Sequence, residues 1–336
     1  MHSVARSLVE RYEEDLFLVK GTPAWTAVVI LLVGLAALPY LLPRWGLGYL
    51  LFILILMAAN VIVAVGLNLL VGSTGLISLG HAGFVAIGAY ASGLLMARLD
   101  LPWVAAWMGA AAISAGFGFL VGLPALRLAG PYLAIATLGF GIAVYQILTN
   151  WTALSGGRTG LPVQQLSLGI AALTPTQQLY YVAVTAAVVG SWVAYNLARS
   201  HIGRALAAIR DSDIAAEVTG VNLTRYKTLA FAVSAAYAGI AGAVIAQALR
   251  HLEPQSFTFL ESITYFAMIV IGGLGTVSGA IIGGVILTLL PHFLSGFKQW
   301  LPLIYGITII VMMLIEPRGL YGRWLRIKIY FKLWPL

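Results

Sequence analysis

With 336 residues, 61% of them hydrophobic and only 9% charged, the chain is too apolar for water to be the solvent of most of its surface, since soluble domains run at about a quarter charged. The absence of cysteine excludes disulfides, thiolate chemistry and cysteine metal sites. A net charge of +8 raises the question of nucleic acid, but the basic residues flank apolar runs and form no stripe, a pattern that suits a membrane surface.

Residues 1–20 mix Glu10, Glu13, Glu14 and Asp15 with basic side chains, and no small-residue cleavage pattern follows a short apolar core. They read as a cytoplasmic amphipathic lead-in, or as a tolerated tail, and not as a secretory signal. Apolar stretches then follow at 24–42, 48–70, 82–97, 102–122, 131–149, 178–198, 229–249, 261–272, 277–294 and 302–316. The stretches Ala24 to Leu42 and Leu47 to Gly80 carry no charged side chain, and each covers the roughly 20 residues that a helix needs to cross about 30 Å of hydrocarbon. The expected fold is an all-α integral membrane protein with about ten transmembrane helices, eight to ten given the short eighth stretch. A transmembrane domain would occupy 21–320, and a basic tail 321–336.

Orientation follows from the basic residues. If both termini lie inside, Arg44, Arg98, Arg158, Arg250 and Lys298 fall outside and the other 14 of the 19 Lys and Arg residues fall inside, as the positive-inside bias requires. The uncharged connection 150–177, broken only by Arg158, is then external, and the charged connection 199–228 is cytoplasmic.

Two glycine-rich interruptions share one pattern. Gly72, Gly75 and Ser78 in the first match Gly272, Gly275 and Ser278 in the second at the same spacing. Glycine is poor helix material, and freed backbone in a bilayer is tolerated only where protein or a wet cavity satisfies it. Paired interruptions in two halves of a transporter point to a transport path; ordinary small-residue helix packing is the competing reading. Asn68 and His81 are polar groups in apolar surroundings, either solute contacts or partners of a neighbouring helix. Glu261, just before a crossing, fits the headgroup level equally well.

The connection Gly203 to Lys227 reads as two short helices joined at Asp211 and Ser212, either of which can cap the second. Asp213 suits the positive end of that helix's dipole, and Gly220 is a natural stop. Ile214, Ala215 and Val218 share a face of a helix too short to be stable alone, so the rest of the chain or a docked protein should cover it. No P-loop, zinc-protease motif, nucleophile elbow or pair of intramembrane carboxylates occurs, which leaves no basis for catalysis, a metal or a cofactor. A secondary carrier or channel remains open on these grounds.

The segments Asn68 to Phe84, Pro131 to Gly141, Ser155-Gly-Gly-Arg-Thr-Gly160, Gly203 to Tyr226 and Glu316-Pro-Arg-Gly-Leu320 together resemble the branched-chain amino-acid ABC permeases, specifically their M-type membrane subunit. The likeness runs in order from about residue 48 to 320. It implies a bacterial inner-membrane importer that also contains a homologous H-type permease subunit, two cytosolic ABC ATPase subunits and a periplasmic solute-binding protein, with no nucleic acid involved and lipid around it. It also implies that 203–220 holds the helix that docks on an ATPase, which makes Arg204, Arg210, Asp211, Ala215, Ala216, Glu217 and Gly220 the candidate coupling residues. The candidate path residues are Asn68, Gly72, Gly75, Ser78, His81, Gly272, Gly275 and Ser278. Family members carry an acidic residue directly after the Leu-Gly-Phe-Gly run, where this chain has Ile142 and Ala143. Related importers of urea or short amides are the alternative substrate class.

Overall fold

The computed structural model describes residues 22–128, 130–169, 172–316 and 319–333; the expected lead-in of residues 1–20 lies outside them. The chain divides into two compact units, residues 1–51 and 52–336. In the first, helix α1 (Thr22–Arg44) carries Pro39 and Pro43 near its end. It stops at Gly46, whose φ of +71° lets the Leu47 N–H reach back to the Leu42 carbonyl at 2.9 Å, the usual glycine-closed helix end.

The remaining α-helices of more than four residues are α2 (Leu50–Thr74), α3 (His81–Leu99), α4 (Trp103–Gly122), α5 (Pro131–Asn150), α6 (Pro175–Arg199), α7 (His201–Asp211), α8 (Asp213–Val218), α9 (Leu223–Leu249), α10 (Phe259–Gly272), α11 (Val277–Phe293), α12 (Leu301–Ile315) and α13 (Gly319–Leu333). Every apolar stretch of the sequence is a helix. Among the described residues, seven segments are long and apolar enough to cross a membrane, beginning at Leu50, His81, Trp103, Pro131, Pro175, Leu223 and Pro254. The last reaches that length only with the 3-10 turn Pro254–Phe257 ahead of α10. Helices α11 and α12 are apolar but have 17 and 15 residues, about 25 and 22 Å at 1.5 Å per residue. The basic tail is no loose extension: it is helical as α13 through Leu333.

Lipid is as apolar as leucine, so burying large side chains gives these helices no reason to associate, and close backbone approach has to do it. The centre of the second unit is built that way. A Cβ on Gly88 of α3 would lie 2.4 Å from the Gly239 Cα of α9, and one on Gly242 of α9 would lie 2.1 Å from the Val85 carbonyl oxygen of α3. On the other side of α9, Gly118 of α4 meets the Phe231 carbonyl and Ala235 equally closely. Bulky side chains face outward instead: Met108, Phe117, Phe119 and Leu120 on α4, and Val188, Val189, Trp192 and Val193 on α6, are all exposed. Large apolar side chains turned outward on these two helices are what a hydrocarbon solvent permits.

The connections gather at two ends of the bundle. At one, β1 (Leu161–Pro162) pairs antiparallel with β2 (His251–Leu252). Residues 150–177 are held there by side chains that read their backbone: Gln247 Oε1 accepts from Leu166 N–H and Gln178 Oε1 from Leu168 N–H, both at 2.7 Å, while Arg98 donates to the Ala153 carbonyl at 2.6 Å. At the other end lie both glycine-rich breaks and residues 199–222. An apolar cluster of Leu70, Leu76, Ala125, Leu133, Leu206 and Phe231 ties the end of α2, the first break, α7 and the start of α9 together there.

The glycine contacts give a direct test of this packing. Replacing Gly88 by leucine should lower the melting temperature of the detergent-purified chain by several degrees, since overpacking costs about 1–3 kcal/mol. Gly116→Ala, at a position with open space around its Cβ, should leave it unchanged. Equal melting of both variants and the wild type would show that the α3–α9 approach is not what holds the bundle.

Candidate functional site

The two glycine breaks meet each other. At the end of α2, Asn68 is buried; its Nδ2 donates to the Thr276 carbonyl and its Oδ1 accepts from the Gly275 N–H, both at 2.9 Å. One side-chain amide thus satisfies a donor and an acceptor of the α10–α11 corner. A Cβ on Gly72 would lie 2.3 Å from that Oδ1 and 2.4 Å from the Gly275 nitrogen, so only glycine admits the contact. The matched glycines also share a backbone state: Gly75 has φ +73° and Gly275 +80°. Gly272 packs on α11, where a Cβ would lie 2.0 Å from the Gly279 carbonyl oxygen.

The match ends at the serines. Ser78 is fully buried, in the extended stretch between α2 and α3, with no partner for its hydroxyl among the described residues. Ser278 is exposed on the first turn of α11. His81, which begins α3, is fully buried, with Nε2 3.3 Å from Ser234 Oγ. The Ser234 hydroxyl donates to the Gly66 carbonyl at 2.7 Å, so His81 Nε2 is the donor in that pair and Nδ1 is left without a partner among the described residues. The neighbouring Ala82 N–H is received by Ser262 Oγ of α10 at 2.9 Å. Of the two readings of Asn68 and His81, the contacts made are those with neighbouring elements.

The connection 199–222 folds as its residues foretold. Ser200 caps α7, and Ser212 caps α8 by accepting from the Ala215 N–H at 3.3 Å. Gly220, at φ +89°, closes α8: its N–H goes to the Glu217 carbonyl at 3.0 Å and that of Val221 to the Ala216 carbonyl at 2.9 Å, the paired bonds of a Schellman end. Asp213 in the first turn of α8 pairs with the buried Lys227 of α9 at 2.6 Å. Arg204, Asp211, Ala215 and Glu217 are exposed. Ala216 alone on α8 turns inward and is 2% exposed, whereas Ile214 and Val218 are 78% and 84% exposed. Among the described residues, therefore, none covers the apolar face of α8.

Arg210 joins the two regions. From the last turn of α7 its Nη1 donates to the Gly72 carbonyl at 2.7 Å. Gly72 lies in the last turn of α2, where carbonyls have no partner in their own helix and a cation suits the negative end of the dipole. The same guanidinium lies against the other break: a Cβ on Gly275 would be 2.9 Å from Nη1. Nothing in the spacing of the sequence revealed this reach across the fold, although Arg210 was a candidate for its place in the loop.

Above the joint, a cavity of about 800 Å³ is bounded by parts of α2, α9, α10, α11 and α12 and includes Asn60, Glu261, Tyr265, Met268, Thr288 and Tyr305 in its wall. The break glycines do not line it. Asn60 and Thr288 were missed in the sequence, although an amide within the uncharged run 47–80 is a signal in its own right. Glu261 faces this cavity from the first turn of α10. Ile142, directly after the Leu-Gly-Phe-Gly run, is half exposed on α5.

Comparison with known proteins agrees with this architecture. The sequence profile described as "Branched-chain amino acid transport system / permease component" matches residues 49–316. The chain is 35% identical to the high-affinity branched-chain amino acid transport system permease protein LivM of Salmonella typhimurium, covering 87% of this chain and 74% of that protein. It is 34% identical to LivM of Escherichia coli over the same shares, and 25% identical to the LivH permease of that organism, over 78% of this chain and 91% of that protein. No solved structure matches. The chain thus belongs to the family of branched-chain amino acid transport permease components.

Proposed function

We propose that this chain is the M-type permease subunit of an ATP-driven importer of branched-chain or other hydrophobic amino acids, seated in a bacterial inner membrane with both termini in the cytoplasm. The observation that carries the reading is the arrangement at Arg210. A short helix with an uncovered apolar face, α8, follows directly on α7, and the end of α7 is bonded to the joint between the glycine breaks. The greater identity to LivM than to LivH supports the M-type assignment, and the distribution of Lys and Arg supports the orientation. An H-type permease would complete the pore, two ATPase subunits would seat α8, and a binding protein would deliver solute at the end that carries β1 and β2.

In this mechanism the chain hydrolyses nothing. Closure of the ATPase pair displaces α8 and α7, and Arg210 passes the displacement to the ends of α2 and α10. Those two helices line the cavity, so a tilt at their glycine-bounded ends changes its access. The paired breaks act as a hinge whose two leaves are held in register by Asn68. Ala216 is packed inward, so the docking surface consists of Ile214, Val218 and the exposed polar residues around them.

Reconstituting the four kinds of subunit in liposomes should give ATP-dependent leucine uptake; uptake by this chain alone, without ATP, would make it a secondary carrier. Two substitutions probe the coupling. Ile214→Asp with Val218→Asp should leave the chain folded yet weaken its hold on the ATPase pair at least roughly 100-fold, since each buried side chain of this size contributes about 1.5–3 kcal/mol; co-purification measures it. Arg210→Ala should keep the subunits assembled and basal ATPase activity intact but cut uptake roughly tenfold or more, as loss of a charge-assisted hydrogen bond is worth about 1.5–3 kcal/mol. Arg210→Lys, which keeps the charge without the planar fork, should fall between. Wild-type uptake by Arg210→Ala would remove the joint from the mechanism.

A further inference from the structure

The cavity beside α10 holds a set of polar atoms that specifies what it accepts. Among the described residues Glu261 is the one charged residue in its wall, and its carboxylate makes no ion pair or hydrogen bond to any of them. A carboxyl group without a partner within a membrane-spanning bundle is expensive, and this one sits in the first turn of α10. Asn60 adds a second acceptor. Thr288 Oγ1 donates to the Gly284 carbonyl at 2.6 Å and so accepts from Asn60, whose Nδ2 lies 2.9 Å away. That fixes the amide orientation and leaves Asn60 Oδ1 as a further acceptor in the wall. Thr264 likewise gives its proton to the Leu260 carbonyl, at 3.1 Å, and offers only its oxygen lone pairs.

Around Glu261 the oxygens of Asn60 and Thr264 thus offer lone pairs, in a cleft whose remaining wall combines apolar Leu56, Ile245, Leu249, Met268 and Leu287 with the hydroxyl-bearing Ser256, Tyr265 and Tyr305. An ammonium group has three donors and no acceptor, and a volume of about 800 Å³ is of the size that takes small ligands. We propose that this cavity is a binding site for a primary ammonium group on a short aliphatic body, with Glu261 as its counter-ion and Asn60 as its second acceptor. The hydroxyls of Tyr265 and Tyr305, in the same wall, are donors available to a neighbouring carboxylate. Resting on the importer reading, the site is where a hydrophobic amino acid released into the membrane assembly is held by its amino end. The ammonium of an ethanolamine lipid has the same chemistry, and the test separates the two.

Isoamylamine, with an amine and an aliphatic body but no carboxylate, and 4-methyl-2-oxopentanoate, with a carboxylate but no amine, are titrated calorimetrically into the intact permease assembly in phosphatidylglycerol nanodiscs. The wild type should bind isoamylamine and not the oxo acid, and Glu261→Gln should bind the amine roughly tenfold or more weakly. Isoamylamine should also protect Glu261 of the wild type from carbodiimide labelling, a measurement that needs no variant to fold. Replacing part of the phosphatidylglycerol by phosphatidylethanolamine assigns the source: weakened amine binding marks a lipid site, unchanged binding a solute site, and both keep the ammonium assignment. Equal amine affinity in wild type and Glu261→Gln, or labelling that isoamylamine does not slow, overturns the proposal. Leucine uptake is scored separately, so amine binding without uptake removes the importer reading and leaves the site standing.

Discussion

A break in a helix leaves backbone groups without their intrahelical partners, and the protein answers this at one residue. The amide of Asn68 offers a donor to Thr276 and an acceptor to Gly275, so the end of α2 and the α10–α11 corner satisfy one another. Remove that amide and the Thr276 carbonyl and Gly275 N–H lose their partners at once. The requirement then spreads outward. Gly72 has to be glycine because Asn68 and Gly275 occupy the space of a side chain. The carbonyl of Gly72, unpaired within its own helix at the end of α2, accepts from Arg210, and α7 is thereby fixed to the bundle. Three segments far apart in the sequence form one joint through a single polar side chain.

Much of the fold was legible because hydrocarbon imposes a coarse rule. A run of about 20 apolar residues has few options but a helix, and each such run became one. The caps were legible for local reasons: Ser212 and Gly220 act within four residues of themselves. What hydropathy does not measure is where a helix stops inside an apolar run. Pro291 and Pro302 bracket the turn between α11 and α12, and both helices come out short of a full crossing. The β1–β2 pair was invisible, since two-residue strands have no periodicity to read. The basic tail was read from charge alone, and charge does not report that α13 forms.

The candidate site divided along the same line. The matched glycines identified the breaks, and equal positive φ at Gly75 and Gly275 shows that the likeness extends to backbone shape. That the two would touch was not in the pattern, because the contact depends on where α2 and α10 come to lie. The serine at the end of each match was read as equivalent, yet one is buried and the other exposed; the first break runs from Gly75 to Gly80 and the second is shorter. Thr288 left no trace because threonine in a helix usually bonds its own preceding turn. Glu261 was visible as a lone carboxylate near a helix start, but only the five surrounding segments turn that position into a chamber.

The glycine notch between α3 and α9 also bears on how the chain is made. Gly88 and Gly239 are separated by roughly 150 residues, and at about 5–20 residues per second a ribosome needs on the order of ten to thirty seconds to cover that distance. During that interval α3 has its small-residue face open in the bilayer, with His81 lacking Ser234 and Ala82 lacking Ser262. Insertion of the early helices is therefore separable in time from their assembly, and the nascent chain must be held by lipid or by the insertion machinery until α9 emerges. A notch shaped for one particular late helix also rejects bulkier early ones, which gives this all-helical bundle an order of closure that its topology alone would not impose.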